Sequence, residues 1–237
     1  MKFPSPLVRG TLIRRYKRFL ADVRLDSGDE TTAHVPNPGS MIGLADPGLP
    51  VWLSPAANPA RKLKWTWELV EIDGRPVGVD TALANGIVAE AIAQGRIAGL
   101  EGYAGLRREV PYGRNSRIDI LLSDPARPDC LVEVKTVNLS RPRPGRSRHA
   151  EFPDAVTARG TKHLHELADA HRAGRRAVML YLVLRMDCER FSLATDIDPA
   201  YAEAFAESRR AGVEAFCAAC RVAPDGIEVD RALPLDV

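Results

Sequence analysis

Long apolar runs are absent from this chain of 237 residues. The longest, from Ala177 to Leu184, is far shorter than the roughly 20 residues that span a bilayer, so we expect no membrane-spanning helix. The first residues also lack the apolar core of a secretory signal, which predicts a cytoplasmic protein. A hydrophobic share of 45% and a charged share of 27% are those of an ordinary globular chain with a buried core.

Cysteine is scarce as well, with four residues in the whole sequence. In a chain of this size without an export signal, a disulfide scaffold is not expected. Cys217 and Cys220 have the spacing of zinc and redox sites, but zinc needs four ligands and no second pair is present. Small and apolar residues surround the two, so we expect buried structural thiols.

The net charge is only +2, which excludes a protein that is basic throughout. The basic residues form three clusters instead: Arg9, Arg14, Arg15, Lys17 and Arg18; Arg61, Lys62 and Lys64; and Arg141, Arg143, Arg146 and Arg148. Any one cluster taken alone is more typical of a solvated face. Local basic stripes nevertheless bind phosphate groups even where the total charge nearly cancels.

Residues 1–82 show the alternation of short strands and almost no helical periodicity. Strands are expected near residues 7–14, 19–25, 31–35, 51–53, 65–72 and 77–79, the last two joined by the hairpin signal Asp73-Gly74. About five strands over this length predict a small closed barrel. The OB-fold is the leading candidate because it is the common five-stranded barrel that binds nucleic acid.

Cations and aromatic residues are interleaved at two places in this barrel. The predicted nucleic-acid contacts are Arg14, Arg15, Tyr16 and Arg18, next to Phe19, and Lys62 and Lys64, next to Trp65 and Trp67. Such mixtures stack bases and follow a phosphate backbone. Packing of Phe19 or Trp67 in the barrel core is the alternative.

Residues 83–237 predict a mixed α/β sheet domain. Helices are expected at 85–97, 153–173 and 199–211, and strands at 106–112, 117–122, 130–137, 177–184 and 213–219. The strand at 177–184 is apolar throughout, which indicates burial on both faces.

Three charged residues lie in two of these strands. Asp119 interrupts an otherwise Ile- and Leu-rich strand, and Glu133 and Lys135 share one face of the next strand. A carboxylate inside an apolar strand is costly unless it is paired or bound to metal. Glu-x-Lys alone is common on exposed hairpins, but the addition of Asp119 and the flanking helices predicts a catalytic site.

The pattern of an Asp followed by Glu-x-Lys on neighbouring strands is that of PD-(D/E)xK nucleases. Asp119 and Glu133 would hold Mg²⁺ or Mn²⁺, which polarises a phosphate and activates water, and Lys135 would stabilise the developing charge. Glu90 on the first helix is expected as a third metal ligand. Glu109 is a further candidate, and a plain surface glutamate is the alternative for both.

The segment after the third strand of this domain is also suited to phosphate. Asp154 is expected either to cap the long helix or to turn toward the metal. Arg159, Lys162 and His163 lie on one helical face, where they would hold a substrate phosphate near Glu133. A solvated helix surface is the alternative.

Several segments together resemble the sugar fermentation stimulation protein A family. They are His34 to Met41, Ser116 to Asp119, Val132 to Lys135 and Phe152 to Leu164, and the resemblance extends from Leu7 to about Val229. It implies an N-terminal OB-like barrel, a C-terminal restriction-endonuclease-like domain and DNA binding. It also implies an association with regulation of sugar (maltose) utilisation genes.

Three functions remain open from the sequence. The first is a Mg²⁺-dependent nuclease that acts on DNA or RNA, and the second is a non-catalytic DNA-binding regulator that keeps the nuclease fold. A small-molecule or RNA-binding module with a structural cation is the third. The expected partner is nucleic acid, foremost DNA, with a homodimer as a possible assembly.

Overall fold

A computed structural model describes residues 1–58, 60–112, 116–142 and 148–237. The chain forms an N-terminal β-barrel followed by an α/β domain. No helix within these ranges is long and apolar enough to cross a membrane. The turn at 113–115 and two residues of the third basic cluster, Arg143 and Arg146, lie outside the described residues.

The barrel consists of β1 (Val8–Tyr16), β2 (Leu20–Leu25), β3 (Glu30–His34), β4 (Pro50–Pro55), β5 (Trp65–Ile72) and β6 (Arg75–Gly78). The strand order is β3-β2-β1-β4-β5-β6, and the barrel closes where β3 pairs with β5. Its core contains Leu12, Val23, Leu53 and Trp67. Trp67 is therefore a core residue, whereas Phe19 is 43% exposed.

The second domain is built on a six-stranded mixed sheet. Its strands are β7 (Gly105–Tyr112), β8 (Ser116–Asp124), β9 (Arg127–Val137), β11 (Arg176–Val183), β13 (Glu214–Ala223) and β14 (Gly226–Ala232), in the order β14-β13-β11-β9-β8-β7. β11 pairs in parallel with both β9 and β13 and is buried on both faces, as its continuous apolar sequence predicts.

Helices cover both faces of this sheet. A short 3₁₀ turn (Thr81–Leu83) leads into α1 (Ala84–Ala93), which packs on one face, and α2 (Ala158–Arg172) and α3 (Pro199–Arg210) pack on the other. α2 begins five residues later than Pro153 because the Thr157 hydroxyl, rather than Asp154, accepts the hydrogen bond from the Gly160 N–H. Asp198 caps α3 in the same way.

A third, small sheet was not predicted. It consists of β10 (His149–Phe152), β12 (Arg190–Leu193) and β15 (Leu235–Asp236), all parallel. These strands are too short for their own alternation to stand out in the sequence.

The four cysteines are buried and free, as expected. Cys217 and Cys220 lie in the two different cores, on opposite faces of β13. Burial raises the pKa of both thiols. This arrangement is that of structural side chains and not of a shared metal or redox site.

The first residues of the chain pack on the second domain. The N-terminal amine donates to the Ile227 carbonyl at 2.7 Å, and Lys2 forms an isolated bridge with Gly226. Met1, Phe3 and Leu7 contact the core that contains α1. Contacts of the opening segment therefore extend across the predicted boundary at residue 82.

The two domains also meet through Asp154, which neither caps α2 nor points toward the carboxylates. Its side chain accepts a hydrogen bond from the Met41 N–H at 3.1 Å, and its carbonyl accepts one from the Ser40 hydroxyl at 2.5 Å. A Cβ on Gly39 would lie 2.3 Å from the Asp154 carboxylate. A side chain at position 39 would therefore displace the Asp154 carboxylate from the Met41 N–H.

Arg15 stabilises the barrel side of this junction. Its guanidinium donates to the carbonyls of Arg18, Asn37, Gly39 and Ser40 at 3.0 to 3.2 Å. Four of its five N–H donors are thus used within the protein, and its contact with nucleic acid stays a prediction.

We expect Gly39→Ala to destabilise the protein by roughly 2 kcal/mol, because the new methyl group displaces the Asp154 carboxylate. Urea unfolding of wild type and variant measures this loss of stability as a shift of the midpoint. In an Asp154→Ala background the carboxylate is gone and the new methyl group fits. The loss of stability caused by Gly39→Ala should then fall below about half of that value. Equal costs in the two backgrounds would show that this contact is not the reason for the glycine.

Candidate active site

Asp119 lies where two neighbouring strands of the sheet separate. β8 and β9 are paired from Asp124 and Arg127 up to Ile120 and Val132, and the pairing stops there. Beyond this point the Asp119 carboxylate accepts the hydrogen bond of the Val134 N–H at 2.8 Å. The side chain thus replaces the missing strand partner and is fixed at the fork between the strands.

Glu133 is buried on the open side of β9, with 3% of its surface exposed. Lys135 donates to its Oε1 atom at 2.7 Å, and His163 of α2 contacts the same oxygen. The Arg159 Nε atom donates to His163 Nε2 at 3.3 Å, and the Lys135 ammonium lies 3.1 Å from His163 Nδ1, so Glu133, Lys135, His163 and Arg159 form one connected polar cluster.

The two carboxyl groups therefore have opposite electrostatic states. Burial and the nearby charge of Glu133 raise the pKa of Asp119 to about 6, against the opposing hydrogen bonds of Val134 and Asn85. Burial alone would raise the pKa of Glu133, but the hydrogen bond from His163 and the charge of Lys135 lower it below its ordinary value. Asp119 thus carries negative charge that nearby cations neutralise less well.

A third carboxylate, Glu109, faces Asp119 across β7 and β8. The register places Arg108 opposite Ile120 and Val110 opposite Ile118, which leaves Glu109 opposite Asp119. Glu109 has a φ of +54°, a left-handed conformation that is costly for a residue other than glycine. The Asn85 amide of α1 donates to Asp119 at 2.9 Å and also to Glu109, so it connects the two acids.

These groups line one cavity of about 600 Å³, here named the carboxylate cavity. It is lined by Glu109, Ser116, Arg117, Asp119, Glu133, Val134, Lys135, Arg159, Lys162 and His163. The structure brings together six predicted site residues: Asp119, Glu133, Lys135, Arg159, Lys162 and His163. Acids lie at its base, and exposed Arg159 and Lys162 project from α2. This combination suits a phosphate together with a divalent cation.

Glu90, predicted as a metal ligand, is not part of this cavity. Its carboxylate forms an ion pair with the N-terminal amine at 3.1 Å and is 44% exposed. It lies on α1 like Asn85, but it points toward Met1 and away from Asp119. The role of Asn85 was not predicted, because an Asn near a helix start is typical of a cap.

The predicted barrel contacts lie outside this cavity. Arg14 forms an ion pair with Asp22 at 2.8 Å, and the Tyr16 hydroxyl donates to the same carboxyl group. Lys17, Arg18 and Phe19 are exposed at the hairpin between β1 and β2, and Lys62 and Lys64 are exposed on the loop before β5. The hairpin is joined to the start of α2 through Arg15, Gly39 and Asp154.

The residues fit a divalent cation by their donor chemistry. Among the described residues no three His, Cys, Asp or Glu side chains are already arranged as a metal cluster. Glu133 is engaged by Lys135 and His163, and Asn85 lies between Asp119 and Glu109. Mg²⁺ retains several waters, so Asp119 and Glu133 are enough to hold it, and a cation there would relieve the repulsion that raises the pKa of Asp119.

Two protein-family models match successive parts of the chain. Residues 82–226 match the model of the sugar fermentation stimulation protein RE domain, and residues 13–79 match the SfsA N-terminal OB domain. The chain belongs to the sugar fermentation stimulation protein family. The predicted fold, an OB barrel followed by an α/β domain, is confirmed.

Relatives of this family match along the entire chain. A sugar fermentation stimulation protein homolog of Paramagnetospirillum magneticum is 62% identical, covering 100% of this chain and 98% of the relative. A homolog of Rhodospirillum centenum is 59% identical over 99% of both. Among solved structures, Pyrococcus furiosus SfsA in complex with Ca²⁺ superposes with a TM-score of 0.89 at 27% identity, covering 100% of this chain and 98% of that one.

In a chelator-containing buffer, we expect the stability of wild type relative to Asp119→Asn to fall by on the order of 2 kcal/mol as the pH rises from about 4 to about 6. The raised pKa means that ionised Asp119 disfavours the folded state. This penalty is absent below about pH 4, where the carboxyl is protonated in both states, and it grows until about pH 6. Urea unfolding of wild type and variant across this range measures the difference.

Glu133→Gln is the matched control in the same cavity. The lowered pKa of Glu133 means that its charge stabilises the fold above the ordinary carboxyl pKa. The variant should therefore lose stability at neutral pH, and the loss should shrink as the pH falls. The same sign for both variants would refute the opposed electrostatic states.

Proposed function

We propose that this protein is a divalent-metal-dependent nuclease that hydrolyses phosphodiester bonds in nucleic acid, foremost DNA. The observation that carries the proposal is the carboxylate cavity, where Asp119, Glu133 and Lys135 converge beside basic residues of α2. Family membership adds an RE domain and an OB domain to the same chain. The Ca²⁺ bound to the Pyrococcus furiosus relative supports a cation-binding role.

Asp119 and Glu133 would hold the metal. Asn85 donates hydrogen bonds to both Asp119 and Glu109 and so keeps the two carboxylates near each other, and Glu109 would add a further oxygen ligand. When bound, Mg²⁺ or Mn²⁺ supplies charge that polarises the scissile phosphate and lowers the pKa of water.

The protein's own residues would orient the substrate and balance its charge. Arg159 and Lys162 project into the cavity from the first turns of α2 and are suited to bind non-bridging phosphate oxygens. The Lys135 ammonium, with 14% of its side chain exposed, is held at the base by Glu133 and would stabilise negative charge that develops on the phosphate. His163 keeps Glu133 oriented through Nδ1.

A non-catalytic DNA-binding regulator is the second candidate. One observation favours it: Lys135 already neutralises Glu133 and His163 contacts the same oxygen, so the site is balanced in part without a metal ion. The remaining charge on Asp119 and Glu109 favours the nuclease, because unpaired carboxylates repel a phosphate backbone.

Purified protein should cut labelled single- or double-stranded DNA or RNA with Mg²⁺ or Mn²⁺ and leave it intact with chelator. Asp119→Ala and Lys135→Ala should each lower the rate by at least about 100-fold, since each removes a group that acts on the reacting phosphate. Glu90→Ala is the matched control, a carboxylate removed outside the cavity, and should cut like wild type. Binding without any cutting in either metal would favour the regulator.

The barrel hairpin should add to binding through charge. Arg18 is exposed, and no partner for its guanidinium is found in the part of the chain that the structure describes. We expect Arg18→Gln to weaken DNA binding and to reduce the slope of log affinity against log salt by about one. Arg24→Gln is the control, because Arg24 is already paired with Glu30 at 2.8 Å. Equal slopes for wild type and Arg18→Gln would exclude this hairpin from the contact surface.

A further inference from the structure

A second cavity, of about 260 Å³, lies where the barrel meets the end of β9 and the segment before α2. It is lined by the barrel loop at Asn37 to Gly39, by Thr81, by the end of β9 and by the segment that leads into α2. We name it the junction cavity. Lys135 and Thr136 are consecutive residues of β9, and they line the carboxylate cavity and the junction cavity, respectively.

The two cavities differ in charge. The carboxylate cavity is lined by four basic residues, Arg117, Lys135, Arg159 and Lys162. Among the described residues, no Lys or Arg lines the junction cavity; of its two acids, Glu151 is paired with Arg141 at 2.6 Å and Asp154 accepts the Met41 N–H. Because Glu109, Asp119 and Glu133 line the first cavity as well, an anionic group fits there together with a divalent cation. A neutral group rich in hydrogen-bond donors belongs in the second.

Two polar atoms in the junction cavity are available to a ligand. The Thr136 hydroxyl makes no hydrogen bond within the described ranges and is partly exposed. The Asn138 amide nitrogen donates to the Gly78 carbonyl, which fixes the side chain and leaves its Oδ1 atom as an acceptor. Both atoms can accept a hydrogen bond from an amino group.

Flat apolar surfaces complete the lining. Phe152 is half-buried and is held by edge contact with Tyr201 at a centroid distance of 5.1 Å, and Pro38 and Pro153 lie beside it. The volume is below the roughly 300–1,000 Å³ of pockets for drug-sized ligands, so one ring system fills it.

We infer that the junction cavity binds one unstacked nucleobase while its phosphate lies in the carboxylate cavity. A nucleobase joined to a phosphate has the required planar, donor-bearing head and anionic tail. The inference rests on the proposed action on nucleic acid and specifies it: the substrate presents an unpaired base next to the bond that is cut. Adenine, cytosine and guanine carry an amino donor for Asn138 and Thr136, whereas thymine does not.

Binding of short single-stranded DNA tests this inference without cleavage. Fluorescence anisotropy is measured in Ca²⁺, with the oligonucleotide checked for integrity afterwards, while a single abasic site is moved along the strand. We expect one position at which the abasic site weakens wild-type binding about tenfold, as for the loss of one stacked base. Thymine at that position should weaken binding about threefold relative to adenine.

Thr136→Val tests the pocket itself, since valine keeps the shape and removes the unbonded hydroxyl. In this variant the penalty for the abasic site should shrink from about tenfold to about threefold. Thr11→Val, on an exposed position of β1 outside both cavities, should keep the full penalty. The same penalty at every position, or no change in Thr136→Val, would overturn the base pocket.

Competition by a mononucleotide distinguishes a base within a nucleic-acid strand from a free nucleotide as the ligand. Deoxyadenosine monophosphate should compete with the oligonucleotide only weakly, because a single nucleotide lacks the contacts of the rest of the strand. Tight binding of the mononucleotide with no effect of the abasic site would assign the cavity to a free nucleotide instead. If wild type binds no oligonucleotide, the proposed function itself fails; if it binds all abasic positions equally, only the base pocket fails.

Discussion

The hydrogen bond from the Val134 N–H to the Asp119 carboxylate is the contact on which the rest of the site depends. It satisfies a backbone donor at the point where β8 leaves β9, so the two strands can separate without leaving a polar group unpaired. The gap that results is the carboxylate cavity. Glu133 and Lys135 reach this space because they lie on the part of β9 that no longer has β8 beside it.

Stability and function oppose each other at this fork. Three features here are not expected of a regular, fully paired strand: an acid in an apolar strand, a left-handed backbone conformation at Glu109, and two carboxyl groups that share the Asn85 amide. Each of these features destabilises the fold. The burial of the apolar strand β11 at the centre of the sheet offsets this loss of stability. Lys135 offsets only the charge of Glu133. The negative charge that is not balanced within the site therefore lies on Asp119, and a metal ion bound there would stabilise the site most.

The sequence predicted the elements whose signals are local. The barrel, the main strands and the positions of Asp119, Glu133 and Lys135 follow from alternation and from one acid in an apolar strand. Glu90, predicted as a metal ligand, instead pairs with the N-terminal amine, because the helix pattern says nothing about which neighbour a side chain contacts. Asn85 and the position of Asp154 depend on contacts with residues such as Asp119 and Met41, far away along the chain. The pairing of β10, β12 and β15 is equally non-local.

The opening segment gives the chain an unusual path. It starts on the second domain, where Met1 and Ile227 exchange backbone hydrogen bonds, then forms the barrel, and then returns to the same core through α1. In topological terms the barrel is an insertion in the second domain, because chain segments on both sides of the barrel pack in the core of that domain. A fragment cut before α1 would lose Met1, Phe3 and Leu7 from a core that they help to cover, and would expose apolar surface to water. The nuclease-like half is thus not a module that can be detached at the linker.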